Sequence, residues 1–271
     1  MKHFAALICF VMAGCAMQKP LSMPAPTQKA EALPTPITPL TELSEYLVGP
    51  VPRNDKATVD LFTRSFDELV FTVEGGGRND YVRKWNETPI QYRFHKSVPV
   101  EVRVETAKAG NFLHNLVGIE FEQASRVRGH IQITSEASRN RRGEVCAFYP
   151  LHSEQMKNGF IRLTPHFTQD GTLRSATVIV TPGLQKEYDI TFAQCMIEEM
   201  SQLLGLQNDS DIVENSLWRN ALEDKAKRLT YHDAIILRTL YDFRIKPGMP
   251  RAQALPIARR IIGELLAELN S

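Results

Sequence analysis

Charge of one sign is the first thing this sequence lacks: 32 Lys and Arg stand against 31 Asp and Glu, a formal net charge of +1. A nucleic-acid binder concentrates a basic surplus, so no nucleic-acid partner is expected. The short run Arg139-Asn140-Arg141-Arg142 reads as a solvated loop. Enzyme fingerprints are missing too. There is no Gly-x-Ser-x-Gly, no Walker motif and no dinucleotide-binding glycine pattern, and Glu74-Gly75-Gly76-Gly77 lacks the Lys-Ser/Thr of a phosphate loop. Only two tryptophans occur, Trp85 and Trp218, which read as core anchors rather than ligand platforms. Cysteine is scarce, four in 271 residues, so each can be followed singly.

The one long apolar run lies at the start. Lys2 precedes Phe4 to Ala13, too short to span a bilayer but suited to a signal-peptide core. It closes on Val11-Met12-Ala13-Gly14-Cys15, which resembles the lipobox of bacterial lipoproteins; an ordinary secretory signal cut nearby is the alternative. The resemblance implies that residues 1–14 are removed and that Cys15 is diacylated. More than one acyl chain gives stable anchoring. Ala16 is not the aspartate that retains lipoproteins in the inner membrane, so the expected location is the outer membrane, facing the periplasm. Residues 15–42 carry six prolines between Pro20 and Pro39 and no apolar period, an extended tether with a reach of about 60–80 Å at about 3.1 Å per residue. Cys9 leaves with the signal, and Cys146 and Cys195 remain as an even pair in an oxidising compartment, read as a disulfide; a reactive thiol is the alternative.

Residues 43–271 are expected to form one α+β domain, with enough apolar sequence for a sizeable core. Asp55 is a candidate N-cap for a helix to Leu69 with Val59, Phe62, Phe66 and Leu69 inward. Ile90–Phe94, His130–Thr134, Phe160–Leu163 and Ser175–Val180 alternate or run apolar as strands, and Asp170-Gly171 forms a turn that lets the last two pair or lie adjacent. A helix lies between Val98 and Phe121. Thr230 and Asp233 form a capping box, and a final amphipathic helix covers Leu255 to Leu269.

The most informative stretch runs from Thr191 to Asp209. Phe192, Met196, Met200, Leu203 and Leu204 recur at helical spacing, and Gly205 is a natural stop. Gln194, Glu198, Ser201 and Gln202 fall on the polar side, with Glu199 on the shoulder and half-buried. The frame Glu198-Glu199-x-x-Gln202-x-x-Gly205-x-x-Asn208 resembles the zinc-peptidase pattern H-E-x-x-H-x-x-G-x-x-H. The general-base position and the glycine are kept; all three histidine positions are not.

The element order is similar to the first half of a zincin: strand, backing helix, further strands with an edge strand, then the metal-site helix. Together with Arg83-Lys84-Trp85, Cys146 and Lys246-Pro247-Gly248-Met249, the Glu-Glu-x-x-Gln-x-x-Gly-Leu run resembles the secreted bacterial proteins of domain of unknown function 2927 over residues 55–250. That resemblance implies a zincin-like domain, a mixed sheet with a central active-site-type helix and a helical C-terminal part. It also makes Met249 a counterpart of the methionine turn of metzincins.

Three readings of the helix follow. Zinc prefers imidazole and thiolate, and a Gln amide is a poor ligand for it, so no zinc cofactor is expected. None of His95, His114, His130, His152, His166 and His232 stands at short ligand spacing from another. Glu198, Gln202, Asn208, Asp209 and Asp211 could instead offer oxygen to a divalent cation such as Ca²⁺ or Mg²⁺, although Asn208-Asp209-Ser210-Asp211 reads first as a polar turn after a helix end. The preferred reading is a histidine-free pseudo-peptidase that binds an envelope protein or peptide. The alternative is a metal-dependent peptidase or hydrolase with Glu199 as catalytic general base.

Overall fold

A computed structural model describes residues 38–73, 77–124, 130–135, 146–149, 156–157, 160–161, 166–167, 170–180, 191–219 and 225–271. The expected signal segment, Cys15, most of the proline-rich stretch, Arg139 to Arg142 and the side chain of Cys146 lie outside the described residues.

The chain enters through Leu40, Leu43 and Leu47, all buried. Val48 N donates to Leu229 O at 3.0 Å, Arg228 Nη2 donates to Glu45 O at 2.8 Å, and Arg238 donates to Thr38 O. Packing therefore reaches back a few residues before the expected start at residue 43, because these leucines join the main core.

Helix α1 (Lys56–Phe71) starts where expected, with Asp55 accepting from Thr58 N at 2.8 Å, and it buries Phe62, Phe66, Leu69 and Val70. A short hairpin follows, β1 (Thr72–Val73) with β2 (Gly77–Arg78). Strand β3 (Ile90–Phe94) leads into α2 (Val100–Val117), which ends on Gly118 in the left-handed conformation at φ 75. Next come β4 (Phe121–Gln123), β5 (Ile131–Ser135), β6 (Cys146–Tyr149), β7 (Met156–Lys157), β8 (Phe160–Ile161), β9 (His166–Phe167) and β10 (Leu173–Val180). Helices α3 (Phe192–Gln202), α4 (Tyr231–Tyr241) and α5 (Arg251–Leu269) complete the described elements.

The large sheet has the order β4-β3-β5-β10-β6. The pairs β4/β3, β3/β5 and β5/β10 are parallel, and β6 is antiparallel to β10. Parallel neighbours need a crossover rather than a tight turn, and α2 is the crossover from β3 to β4. Helix α3 packs along α2 and against β6, while α4 and α5 pack with α1. The result is a mixed α/β arrangement in the α+β class. One expected pairing is corrected. Residues 160–161 pair with Met156–Lys157 rather than with β10, and across the Asp170-Gly171 turn it is β9 that meets β10. The turn was legible; its partner strand was only two residues long.

The segment Val82 to Trp85 is held from two sides. Val82 N donates to Met249 O at 2.9 Å and Gly248 N to Val82 O at 2.8 Å. Lys84 N donates to Gly171 O at 3.3 Å and Leu173 N to Lys84 O at 3.0 Å. Gly171 (φ 79) and Gly248 (φ 71) meet so closely that a Cβ on either would overlap the other turn's backbone. Met249 serves this junction through its carbonyl, its side chain packing half-buried on the core.

Candidate functional site

Helix α3 is capped by Thr191, whose hydroxyl accepts from Gln194 N at 3.1 Å. Its inward side buries Cys195, Met196 and Met200. After Gln202 the chain tightens: Gly205 N and Leu206 N both donate to Gln202 O, at 2.9 and 3.1 Å. Gly205 sits at φ 120, and a Cβ there would overlap Arg83 O. Two independent constraints thus select glycine, one torsional and one steric.

The last carbonyls of a helix need donors from elsewhere. Trp85 Nε1 donates to Leu203 O at 2.7 Å and Tyr241 Oη to Leu204 O at 2.8 Å. Arg83 Nη1 reaches Gln207 Oε1 at 3.2 Å. The Arg83-Lys84-Trp85 run is therefore the floor under the end of α3. Lys84 itself turns away, donating from Nζ to Leu240 O at 2.7 Å, 5.0 Å from the centre of the Tyr241 ring. It caps the C-terminal end of α4, where the helix dipole favours a cation.

The polar side of α3 is covered rather than open. Gln194 and Ser201 are buried. Ser201 Oγ donates to Glu198 O at 2.7 Å and accepts from Trp218 Nε1 at 2.8 Å. Glu199, expected to be half-buried, is only 6% exposed. Glu198 meets a residue that sequence reasoning missed: Lys225 Nζ lies 2.5 Å from Glu198 Oε1, with the two side chains 10% and 15% exposed, respectively. Gln202 Nε2 donates to Asp209 Oδ1 at 2.7 Å. Asp211 faces Arg219 Nε at 3.6 Å, and Asn208 is half-buried beyond the helix end. Of the candidate oxygen ligands, the fold thus gathers Glu198, Gln202 and Asp209 at one place and leaves Asp211 to an arginine.

Lys225 is held there by a relay from α4. Asp233 completes the expected capping box, its carboxylate accepting from Thr230 N at 2.9 Å. The same carboxylate accepts from Leu217 N at 3.0 Å and from Ser216 Oγ at 2.7 Å. Trp218 N donates to Ser216 Oγ at 3.1 Å, and Ala226 N to Ser216 O at 3.2 Å. His232 adds an extension, its Nδ1 3.0 Å from Asp233 Oδ1 and its Nε2 2.9 Å from Ser65 Oγ. Ser65, His232 and Asp233 have the contact order of a hydrolase triad, but all three are buried in the core. With Ser65 1% exposed and its hydroxyl bonded to His232, the arrangement ties α1 to α4.

Burial pushes the Glu198 carboxyl up to about 7, against the opposing pull of Lys225; Asp209 and Asp233 push the same way as burial. The Lys225 ammonium is held above its ordinary value, because Glu198, Asp209 and Glu199 together outweigh its own burial. At neutral pH the Lys225 ammonium is therefore charged, while Glu198 stands near its own midpoint, so the charge of the pair changes across this range. Lys84, by contrast, is pushed down to about 7 by burial, with Lys246 adding to the effect and Asp242 opposing it.

The family model described as Protein of unknown function (DUF2927) matches residues 60–260. The chain belongs to the DUF2927 family. Every contact of the α3 site, from Arg83 through Lys225 to Asp233, falls within the matched span of this DUF2927 chain. No curated protein matches the sequence. Among the described residues of this DUF2927 domain, no group of three or more His, Cys, Asp and Glu side chains is placed to hold a metal ion.

Proposed function

We propose that this DUF2927 protein is a lipid-anchored protein of the bacterial outer membrane, facing the periplasm, whose domain is a zincin-like scaffold retained to bind a peptide or an envelope protein rather than to cleave one. The observation that carries the reading is the internal use of the ligand positions. Glu198 pairs with Lys225, and Gln202 donates its amide to Asp209. A zinc ion would have to displace an ammonium and break that hydrogen bond, and would gain only oxygen donors, which zinc accepts poorly. The alternative, hydrolysis with Glu199 as general base, needs a carboxylate that a reacting water can reach; Glu199 is buried.

The zincin-like part of the reading is supported by the order of elements. A strand, a backing helix, parallel strands, an antiparallel strand at the end of the sheet and a central strand lead into α3. Among the described residues β6 pairs with β10 and lies against α3, and the reading takes the edge of β6 as the place for an added strand. Extended peptides join sheet edges through main-chain hydrogen bonds. The disulfide belongs to the same reading. Cys195 is buried on α3, and α3 packs on the strand that opens at Cys146; pairing of these two would tie the helix to the edge strand.

The test uses isotope-labelled protein from residue 38 onward, titrated with a mixture of unstructured peptides. Shifts in the amides of Cys146–Tyr149 with the peptides recovered intact are expected. Cleavage of the peptides, abolished by a chelator, would overturn the reading in favour of the Glu199 hydrolase.

A further inference from the structure

We propose that residues 38–48 are a releasable strap that controls the cover of α3. Seated, the strap holds the residues leading into α4 and, through them, keeps Trp218 and Lys225 over the helix's polar side; unseated, it uncovers Ser201 and Glu198. The inference goes beyond the binding reading and holds whether the domain binds a peptide or cleaves one.

Both ends of the strap are fastened to α4 or to the residues just before it. At its start Arg238, on α4 and 7% exposed, donates to Thr38 O and, from Nε, to Leu116 O at 2.9 Å. At its end Val48 N donates to Leu229 O at 3.0 Å, Val48 bridges Thr230 in parallel, and the exposed Arg228 donates to Glu45 O at 2.8 Å. Between these ends the backbone makes single turns, Leu43 N to Leu40 O at 3.2 Å and Tyr46 N to Leu43 O at 2.9 Å, with no helix or strand of its own. Leu40, Leu43 and Leu47 seat it in the core. The gain from burying three leucines is no larger than the entropy lost in fixing the strap, so this segment can open locally while the rest stays folded.

The position of the strap decides what its opening does. Thr230 N donates to the Asp233 carboxylate, which also accepts from Ser216 Oγ and Leu217 N. Ser216 accepts from Trp218 N at its hydroxyl and from Ala226 N at its carbonyl. It thereby places Trp218, whose indole donates to Ser201 Oγ, and Lys225, whose ammonium meets Glu198. A contiguous run of bonds joins Val48 to the side chains lying on α3, and packed, hydrogen-bonded chains of this kind carry coupling between sites. Residues 15–37 lead straight into Thr38, so a partner or a pull acting on the proline-rich segment reaches the strap first.

Hydrogen exchange and amine labelling, both read by mass spectrometry on the full chain, test this on wild type, Leu47→Ala and Leu43→Ala/Leu47→Ala. The double variant is expected to speed exchange of the Leu217, Trp218 and Ala226 amides, and labelling of Lys225, by at least about tenfold. The amides of α5 and the labelling of Lys84, 1% exposed in the core, should keep their wild-type rates. Faster exchange confined to residues 40–48 overturns the coupling. Equal acceleration everywhere, Lys84 included, overturns it as well, because the strap is then an ordinary part of the core. If the double variant does not fold, Leu47→Ala alone decides it by the same comparison. Either negative result leaves the binding-scaffold reading intact.

Discussion

Trp218 Nε1 donates to Ser201 Oγ at 2.8 Å, and through that contact the loop after α3 is laid over the helix's polar side. The loop closes the side of α3 that a sequence projection leaves to solvent. It also carries the backbone that ends in Lys225. Trp218→Phe keeps the ring and loses the donor, leaving Ser201 Oγ buried with one partner fewer. A loss of about 1–3 kcal/mol in unfolding free energy is expected, measured by urea titration. An unchanged midpoint would show that the loop is held by other contacts.

Gly205 should tolerate no side chain. Its φ of 120 and the approach of Arg83 O combine backbone strain with overlap. Gly205→Ala is expected to cost about 2–5 kcal/mol. Gly263, inside α5 with open space around it, is the control; Gly263→Ala should be neutral or stabilise by up to about 1 kcal/mol. Equal effects at the two positions would contradict this account of the α3 stop.

Lys84 gives stability a pH dependence of known sign. Its native value near 7 lies below the ordinary 10.5. Between those values the unfolded chain keeps a proton that the native state has released, so stability rises with pH across that window and falls as pH drops through 7. Lys84→Met is expected to remove that slope. Thermal unfolding of both proteins from pH 6.5 to 10.5 checks it, and parallel curves would show that Lys84 titrates normally.

Glu198 works in the adjacent window with the opposite slope. Its native value near 7 stands above the ordinary 4.5. The native state therefore holds a proton the unfolded chain has lost, and this contribution, full below 4.5, disappears as pH rises through 7. The difference in stability between wild type and Glu198→Gln should shift across pH 4.5 to 7 and be flat elsewhere. A difference independent of pH would mean that the Lys225 pair is fully ionised throughout.

The disulfide has a chemical readout. Denatured, unreduced protein is expected to show no thiol from Cys146 or Cys195 on alkylation, and peptide mapping should recover them joined. Alkylation of both before reduction would overturn the pairing.

Local rules carried the sequence reading far. Asp55 and the Thr230–Asp233 box begin their helices as expected, and Gly205 ends α3. Both tryptophans are core anchors, since each ring is buried and each indole N–H finds an oxygen. Long-range placement was not legible. Glu198 meets Lys225 across 27 positions, and Lys225 lies in an ordinary charged run, Glu223-Asp224-Lys225-Ala226-Lys227, with no period to set it apart. Ser201 fell on the polar side because helical projection cannot show that Trp218 returns to cover it, and Gln194 on the same side is likewise buried. The Arg83-Lys84-Trp85 run was visible as a motif, but its task, supplying a donor to the end of α3 and another to the end of α4, depends on partners 118 and 156 residues away.

The central claim is that internal partners, not a transition metal, occupy the ligand positions of α3. Elemental analysis of the protein purified from its native envelope without chelator tests it most directly. The account expects zinc well below one equivalent per chain, unchanged in Glu198→Ala and Gln202→Ala. One full equivalent of zinc in the wild type, lost in either variant, would contradict it.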